Sequence, residues 1–319
     1  MEAYIVGVDL GGTQIRAAIS DAEGHIYRKE AALTEAEEGP EAVLQRIQAL
    51  IEQVVADTDW EQIRAIGVSA PGPLNPWTGV IIQAPNLPGW HNVPLRDILM
   101  ERFQCPTWVG NDANVAALAE QQFGAGRGIN DLIYITVSTG IGGGVITNGQ
   151  LLLGSDGLGA ELGHMTVEAN GIRCNCGNVG CVETLASGPA IARHAVEGLK
   201  AGAKSKVLEL VQGDLSKVTA RIVNEAAQAG DEFAIAEFKR AGFYLGVAFV
   251  NLAYIFNPRM IIVGGGVTKA GALLFEPAWK TIRDRLPRPY WEKLAIVPPA
   301  LGDDVCLLGG VALAATECK

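Results

Sequence analysis

Apolar positions along the chain follow two periods, and the switches between them mark the elements. Tyr4-Ile5-Val6-Gly7-Val8 reads as a first strand, Asp9-Leu10-Gly11-Gly12-Thr13 as a glycine turn and residues 15–20 as a second strand. A second turn, Asp21-Ala22-Glu23-Gly24, leads to a third strand from His25. Val43, Leu44, Ile47, Leu50, Ile51, Val54 and Val55 then recur at helical spacing and predict the core face of a helix. The layout returns at mid-chain. Leu132–Val137 is a strand, residues 138–144 a glycine turn, 144–147 a strand, Asn148-Gly149 a hairpin signal and 150–153 a third strand. Two meanders of one design predict an α/β chain of two similar domains, over residues 1–115 and 116–304. An apolar helix at about 305–319, around Gly309-Gly310-Val311, is expected to pack back on the first. The longest apolar stretch, residues 242–256, falls short of the roughly 20 that a membrane helix needs. It reads as a buried helix ended by Asn257-Pro258, and no membrane partner is expected.

Composition narrows the function classes. The 319 residues are 49% hydrophobic and 19% charged, so the chain carries a sizeable core and is not disordered. A net charge of -10 disfavours nucleic acid as a partner, because phosphate backbones need a basic face. The start, MEAY, lacks a basic leader, and a cytoplasmic protein is expected. Six cysteines in a chain this long do not make a disulfide scaffold.

The candidate chemistry lies in the turns. Asp9-Leu10-Gly11-Gly12-Thr13 sets a carboxylate, two glycines and a hydroxyl in one tight turn. Glycine N–H groups can point at phosphate oxygens, and a carboxylate can hold hydrated Mg²⁺. Ser138-Thr139-Gly140-Ile141-Gly142-Gly143-Gly144 offers a second cradle. One such turn alone would read as an ordinary hairpin; two in equivalent meanders favour phosphate. Neither is a Walker A motif, since no G-K-[ST] follows. The strand Met260-Ile261-Ile262-Val263 runs into Gly264-Gly265-Gly266, which could receive a nucleotide but lacks the dinucleotide spacing. In Gly110-Asn111-Asp112-Ala113-Asn114 an acid stands between a short apolar segment and an alanine-rich helix. It fits a helix N-cap; as chemistry, Asp112 could accept a hydroxyl proton while Asn111 holds a neighbouring hydroxyl.

His164 precedes Cys174, Cys176 and Cys181 in the spacing H-x9-C-x-C-x4-C. Three thiols and one imidazole, punctuated by glycines, predict a closed structural Zn²⁺ site, against three reduced cysteines in a loop. Cys105, Cys306 and Cys318 are isolated and read as packing or surface thiols. Glu161 and Glu183 bracket the cluster. Zinc would then fix a loop presenting two carboxylates, a useful arrangement for vicinal hydroxyls, although each Glu alone reads as surface charge.

Together these motifs resemble the ROK family of bacterial sugar kinases and sugar-responsive repressors. The resemblance rests on the Asp9 turn, Asn86-Leu87-Pro88-Gly89-Trp90, Asn111-Asp112-Ala113-Asn114, the Ser138 turn, Glu161-Leu162-Gly163-His164 and Cys174-x-Cys176-Gly177-x-x-Gly180-Cys181-x-Glu183, in family order over essentially the whole chain. It implies the two-domain actin-like, ribonuclease-H-like ATPase fold with a cleft between the domains. It implies ATP phosphates on Asp9, Gly11, Gly12, Thr13, Ser138, Thr139, Gly140 and Gly142, and adenosine near Gly264, Gly265 and Gly266. Sugar hydroxyls would meet Asn86, Asn111, Asp112, Glu161, His164 and Glu183, with Gly72 alongside and Asp112 as catalytic base. Zn²⁺ would sit on His164, Cys174, Cys176 and Cys181, leaving the other ring nitrogen of His164 for the sugar. The implied activity is Mg²⁺-ATP-dependent phosphorylation of the 6-hydroxyl of glucose by a homodimer or homotetramer. Other acceptors are fructose, mannose, N-acetylglucosamine or N-acetylmannosamine, and a non-catalytic sugar sensor is a further alternative. A repressor is not expected, because the Asp9 turn leaves no room before it for a DNA-binding helix pair.

Overall fold

The computed structural model describes residues 3–318. The chain opens with the antiparallel meander β1 (Tyr4–Leu10), β2 (Gln14–Ser20) and β3 (Ile26–Leu33). Helix α1 (Pro40–Val55) follows, and its stripe Val43, Ile47, Leu50, Ile51, Val54 and Val55 is buried. Next come β4 (Ile63–Ala70), the small strands β5 (Leu74–Asn75), β6 (Val80–Gln83) and β7 (His91–Val93), α2 (Leu95–Phe103), β8 (Thr107–Asn111) and α3 (Asp112–Gln122). The first sheet has the order β3-β2-β1-β4-β8, with β4 parallel to both β1 and β8.

A second meander, β9 (Leu132–Val137), β10 (Ile141–Thr147) and β11 (Gln150–Leu151), leads into helices α4 (Glu183–Ala186), α5 (Gly188–Lys200), α6 (Lys206–Leu210), α7 (Ala220–Gln228) and α8 (Glu232–Phe256). Then follow β12 (Met260–Gly264), α9 (Ala272–Arg285), α10 (Arg288–Trp291), β13 (Ala295–Val297) and α11 (Val305–Glu317). The second sheet runs β11-β10-β9-β12-β13. Asn148 and Gly149 both take positive φ, 51° and 75°, as a two-residue hairpin turn requires. Helix α8 ends where Asn257 turns left-handed at φ 46°, but it starts ten residues before the apolar stretch because residues 232–241 are amphipathic. Among the described residues, no helix is long and apolar enough to cross a membrane.

The second glycine turn is shorter than its sequence suggests. Residues 138–140 make the turn, closed by Ser138 N–H donating to Gly140 O at 2.9 Å, while Ile141–Thr147 is strand. The later glycines serve close packing. A Cβ on Gly143 would meet Leu162 Cδ1 at 2.5 Å, and one on Gly144 would meet Ala113 O at 2.7 Å.

The chain divides into two compact units, Met1–Tyr134 with Gly144–Ala160 and Pro299–Lys319, and Ile135–Gly143 with Glu161–Pro298. Beside the expected first domain of residues 1–115 with the helix at about 305–319, the first unit also takes in residues 116–134 and 144–160. In that first unit, Glu120 of α3 is fully buried. Its carboxylate accepts the N–H groups of Ala125 at 2.8 Å, Ala300 at 3.0 Å and Leu301 at 3.0 Å. Glu120→Ala would orphan three amides and should cost about 3 kcal/mol in chemical denaturation, with Glu120→Gln recovering part of the loss.

Candidate active site

In the first unit, the Asp9 turn is a hairpin between β1 and β2, with Gly11 N–H donating to Gln14 O at 3.0 Å and Thr34 Oγ1 to Gly11 O at 2.6 Å. Asp9 and Leu10 belong to β1, so the acid is anchored on the sheet and nearly buried. Burial pushes its carboxyl up, and Arg16 pulls the other way through its hydrogen bonds and charge. Both Arg16 Nε and Nη2 donate to Asp9 Oδ2, at 3.1 and 2.5 Å. Arg16 also donates to Asp303 O at 2.6 Å. Sequence reasoning missed Arg16, which faces Asp9 across the hairpin. The thiol of Cys306, at the start of α11, is raised by burial and then by the charges of Asp9 and Asp112. It is a packing thiol within reach of those two charges.

Gly12 lies against Asn86, where a Cβ would meet Asn86 Cβ at 3.0 Å and its carbonyl at 3.1 Å. Gly72 lies against Asn111, a Cβ there meeting Nδ2 at 3.0 Å. Thr13 and Asn86 are exposed. The N-cap of α3 is Asn111, not Asp112: Asn111 Oδ1 accepts Ala113 N–H at 3.1 Å and Asn114 N–H at 3.3 Å. Asp112 is the first helical residue and is exposed. Capping commits Asn111 Oδ1 and leaves Nδ2 as its donor toward a ligand, while the helix N-terminus favours a negative charge at Asp112. A cavity of about 820 Å³ in this unit passes Asn111, Asn114, Trp77 and Arg96, but is not lined by Asp112, Gly72 or Asn86.

In the second unit, the four metal-ligand candidates converge. The donor atoms of His164, Cys174, Cys176 and Cys181 all lie within 4.8 Å of one another. Cys176 and Cys181 sulfurs are 3.8 Å apart, and Cys174 Sγ is 3.7 Å from His164 Nδ1. A tetrahedral ion with Zn–S bonds of about 2.3 Å has S···S edges of about 3.8 Å. The knuckle is shaped by Cys174 N–H donating to Asn178 O at 2.8 Å and by Gly180 at φ 68°, where a Cβ would meet Glu168 O at 1.7 Å. Burial and the neighbouring thiols push Cys181 up to about 12, whereas the Asn178 N–H draws Cys176 down. Three sulfurs and an imidazole converging on one point are a donor set that a dication accommodates. The residues fit Zn²⁺. Nδ1 of His164 faces the sulfurs, which leaves Nε2 for other use.

Glu161 precedes a short 3-10 turn, Leu162–His164, and is exposed. Glu183 is the first residue of α4, and its Oε2 accepts Ile141 N–H at 2.8 Å. Ser138 and Thr139 are exposed at the tip of their turn, whereas Gly142 lies within β10. Gly264 ends β12, and Gly265 turns at φ 93°, where a Cβ would meet Val137 O at 2.3 Å. A cavity of about 630 Å³, within the range of ligand pockets, joins Ser138 and Thr139 to Gly266. Thr219, Asn224 and Lys269 also line it, and no motif in the sequence announced them. The candidate residues therefore form two sets. Asp9, Gly11, Gly12, Thr13, Gly72, Asn86, Asn111 and Asp112 belong to the first unit, and all the others to the second.

The chain matches the ROK family model over residues 5–317. It is 40% identical over 309 residues to a glucokinase of Thermotoga maritima, covering 97% of this chain and 96% of that one. Among solved structures, a ROK hexokinase from Thermus thermophilus superposes with a TM-score of 0.85 at 35% identity, over 98% and 99% of the two chains. A ROK glucokinase from Streptomyces griseus, in complex with glucose and AMPPNP, gives 0.81 at 34% identity, over 98% and 100%. The fold is the two-domain actin-like ATPase fold.

Proposed function

Because this chain belongs to the ROK family, we propose that it is a glucokinase, transferring the γ-phosphoryl group of ATP to the 6-hydroxyl of glucose. The observation that carries the reading is its 34% identity, over 98% of its length, to a glucokinase solved with glucose and AMPPNP. The acid Asp112 and both glycine turns are intact, which favours a kinase over a non-catalytic sensor.

Asp112 takes the proton of the attacking hydroxyl, and Asn111 Nδ2 holds a neighbouring one. Asn86, Glu161, His164 and Glu183 hold further hydroxyls, and Gly72 leaves room beside Asn111. The turns of Gly11, Gly12 and Thr13 and of Ser138, Thr139 and Gly140, closed by the Gly11 and Ser138 N–H groups, meet the phosphates through their remaining N–H and hydroxyl groups, with Gly142 next to the second turn. The 630 Å³ cavity beside Gly264, Gly265 and Gly266 takes the adenosine. Asp9, whose Oδ2 is paired with Arg16, would hold hydrated Mg²⁺, which when bound would supply neutralisation of phosphate charge. His164, Cys174, Cys176 and Cys181 hold Zn²⁺ in a structural role. We further assign the protein to the cytoplasm and to a homodimer or homotetramer, as the family resemblance implies.

The test is Mg²⁺-ATP-dependent ADP release over a panel of hexoses and N-acetylhexosamines. Turnover on glucose well above the others is expected. Preference for another sugar would keep the mechanism and move the substrate; no turnover by zinc-loaded protein would overturn the kinase reading.

A further inference from the structure

The strip of chain that leaves the cysteine loop holds the second glycine turn at two points. Two residues after Cys181, Glu183 Oε2 accepts the Ile141 N–H at 2.8 Å. Five residues further on, the Gly188 N–H donates to Ser138 O at 2.8 Å. Both ends of the turn, Ser138 and Ile141, are therefore tied to residues 183–188. There is little slack. A Cβ on Gly140 would meet Glu183 Oε2 at 2.7 Å, and one on Gly188 would meet Ser138 O at 3.1 Å.

The strip is itself fixed from both sides. Toward the cysteine loop, Val182 N–H donates to Met165 O at 3.0 Å. On the other side, Arg193 donates to Thr184 O at 2.6 Å and Arg240 to Leu185 O at 3.2 Å. Arg240 is steadied by the buried Glu237, 3.5 Å away. The chain 181–188 is thus a short strut between the sulfur cluster and the backbone of residues 138–141. By itself the turn has one internal hydrogen bond and an exposed tip. A turn so lightly held does not keep its N–H groups aimed without outside support, and a charge-assisted hydrogen bond at its end supplies that support.

We infer that Glu183 is a positioning residue for nucleotide binding: it transmits the geometry of the metal-binding loop to the turn that meets the phosphates. This rests on the reading of residues 138–140 as a phosphate turn. A contact with sugar alone gives Glu183 no effect on nucleotide when sugar is absent; the strut does.

Mg²⁺-ADP titrated calorimetrically without sugar separates the two roles. Glu183→Ala should weaken ADP binding at least tenfold, and Ile141 N–H should exchange with solvent at least tenfold faster by NMR. Glu183→Gln retains an acceptor for Ile141 N–H and removes a negative charge near the phosphates, so its affinity should stay within threefold of wild type or rise. Should the Ala variant misfold, Glu183→Asp keeps the charge but withdraws it by one methylene, and the same loss is expected. Cys176→Ser, with zinc content measured, should also weaken ADP binding, and the double variant should be no worse than the weaker single one, since both break one strut. Unchanged ADP affinity in Glu183→Ala, with wild type binding normally, overturns the proposal alone, as do additive losses in the double variant. Wild type that binds no Mg²⁺-ADP overturns the kinase reading and the proposal with it.

Discussion

Asp112→Asn should lower kcat on glucose by about 10²–10⁴, the range that a positioned general base contributes. That loss corresponds to about 3–5 kcal/mol of barrier. The substitution isolates the base because of how α3 begins. The cap is Asn111, whose Oδ1 accepts the Ala113 and Asn114 N–H groups, so the helix start survives the change. Asp112 is exposed, and an amide of the same size leaves no cavity. The melting temperature should therefore stay within a degree or two of wild type, and KM for glucose should move much less than kcat. Asn111→Ala should behave differently. It removes the cap as well as a hydroxyl contact, costing about 1 kcal/mol of stability alongside raised KM. Steady-state rates and thermal melts on the same preparations check both. Near-normal turnover by Asp112→Asn would remove it from the role of base.

Which features were legible in the sequence depends on whether a local or a distant neighbour decides them. The α1 stripe, the Asn148-Gly149 hairpin and the left-handed stop at Asn257 are set within a few residues, and pattern finds them. The histidine–cysteine cluster was legible for a related reason: its spacing is written along one loop, with only His164 brought in from outside it. Features set by distant contacts were not. Gly142 and Gly143 read as turn residues, yet both lie in β10, where a Cβ on Gly143 would meet Leu162. Asn111 and Asp112 are both good caps by propensity, and only the orientation of β8 into α3 selects the first. Glu120 under Ala300 and Leu301, and Cys306 near Asp9, join residues up to 297 positions apart, a separation no local period encodes.

Gly67→Ala and Gly310→Ala should each destabilise the first unit by about 4 kcal/mol or more, although the second replaces a glycine inside a helix. Helix propensity alone predicts the opposite sign at Gly310, a gain of up to about 1 kcal/mol. Packing decides. Helix α11 crosses β4 backbone to backbone: a Cβ on Gly67 would meet Gly310 O at 1.8 Å, and one on Gly310 would meet Gly67 O at 2.3 Å. Next to them, a Cβ on Gly7 of β1 would meet Leu307 O at 2.7 Å. The obstructing atoms are main-chain carbonyls, so no rotamer change relieves the overlap and the helix as a whole must lift. Lifting it would expose Val311 and Ala314, now fully buried against Ile5 and Ala65. It would also withdraw the segment that leads into α11. Asp303 O, held by Arg16 at 2.6 Å, and Asp304, held by Lys29 at 2.8 Å, lie in that segment. Arg16 in turn carries Asp9, so the stability loss should be joined by a raised KM for ATP. Denaturant midpoints for the two variants, with ATP kinetics below the transition, give the measurement. A Gly310→Ala protein as stable as wild type would mean that α11 slides along the sheet without cost, and that its glycines reflect something other than close approach.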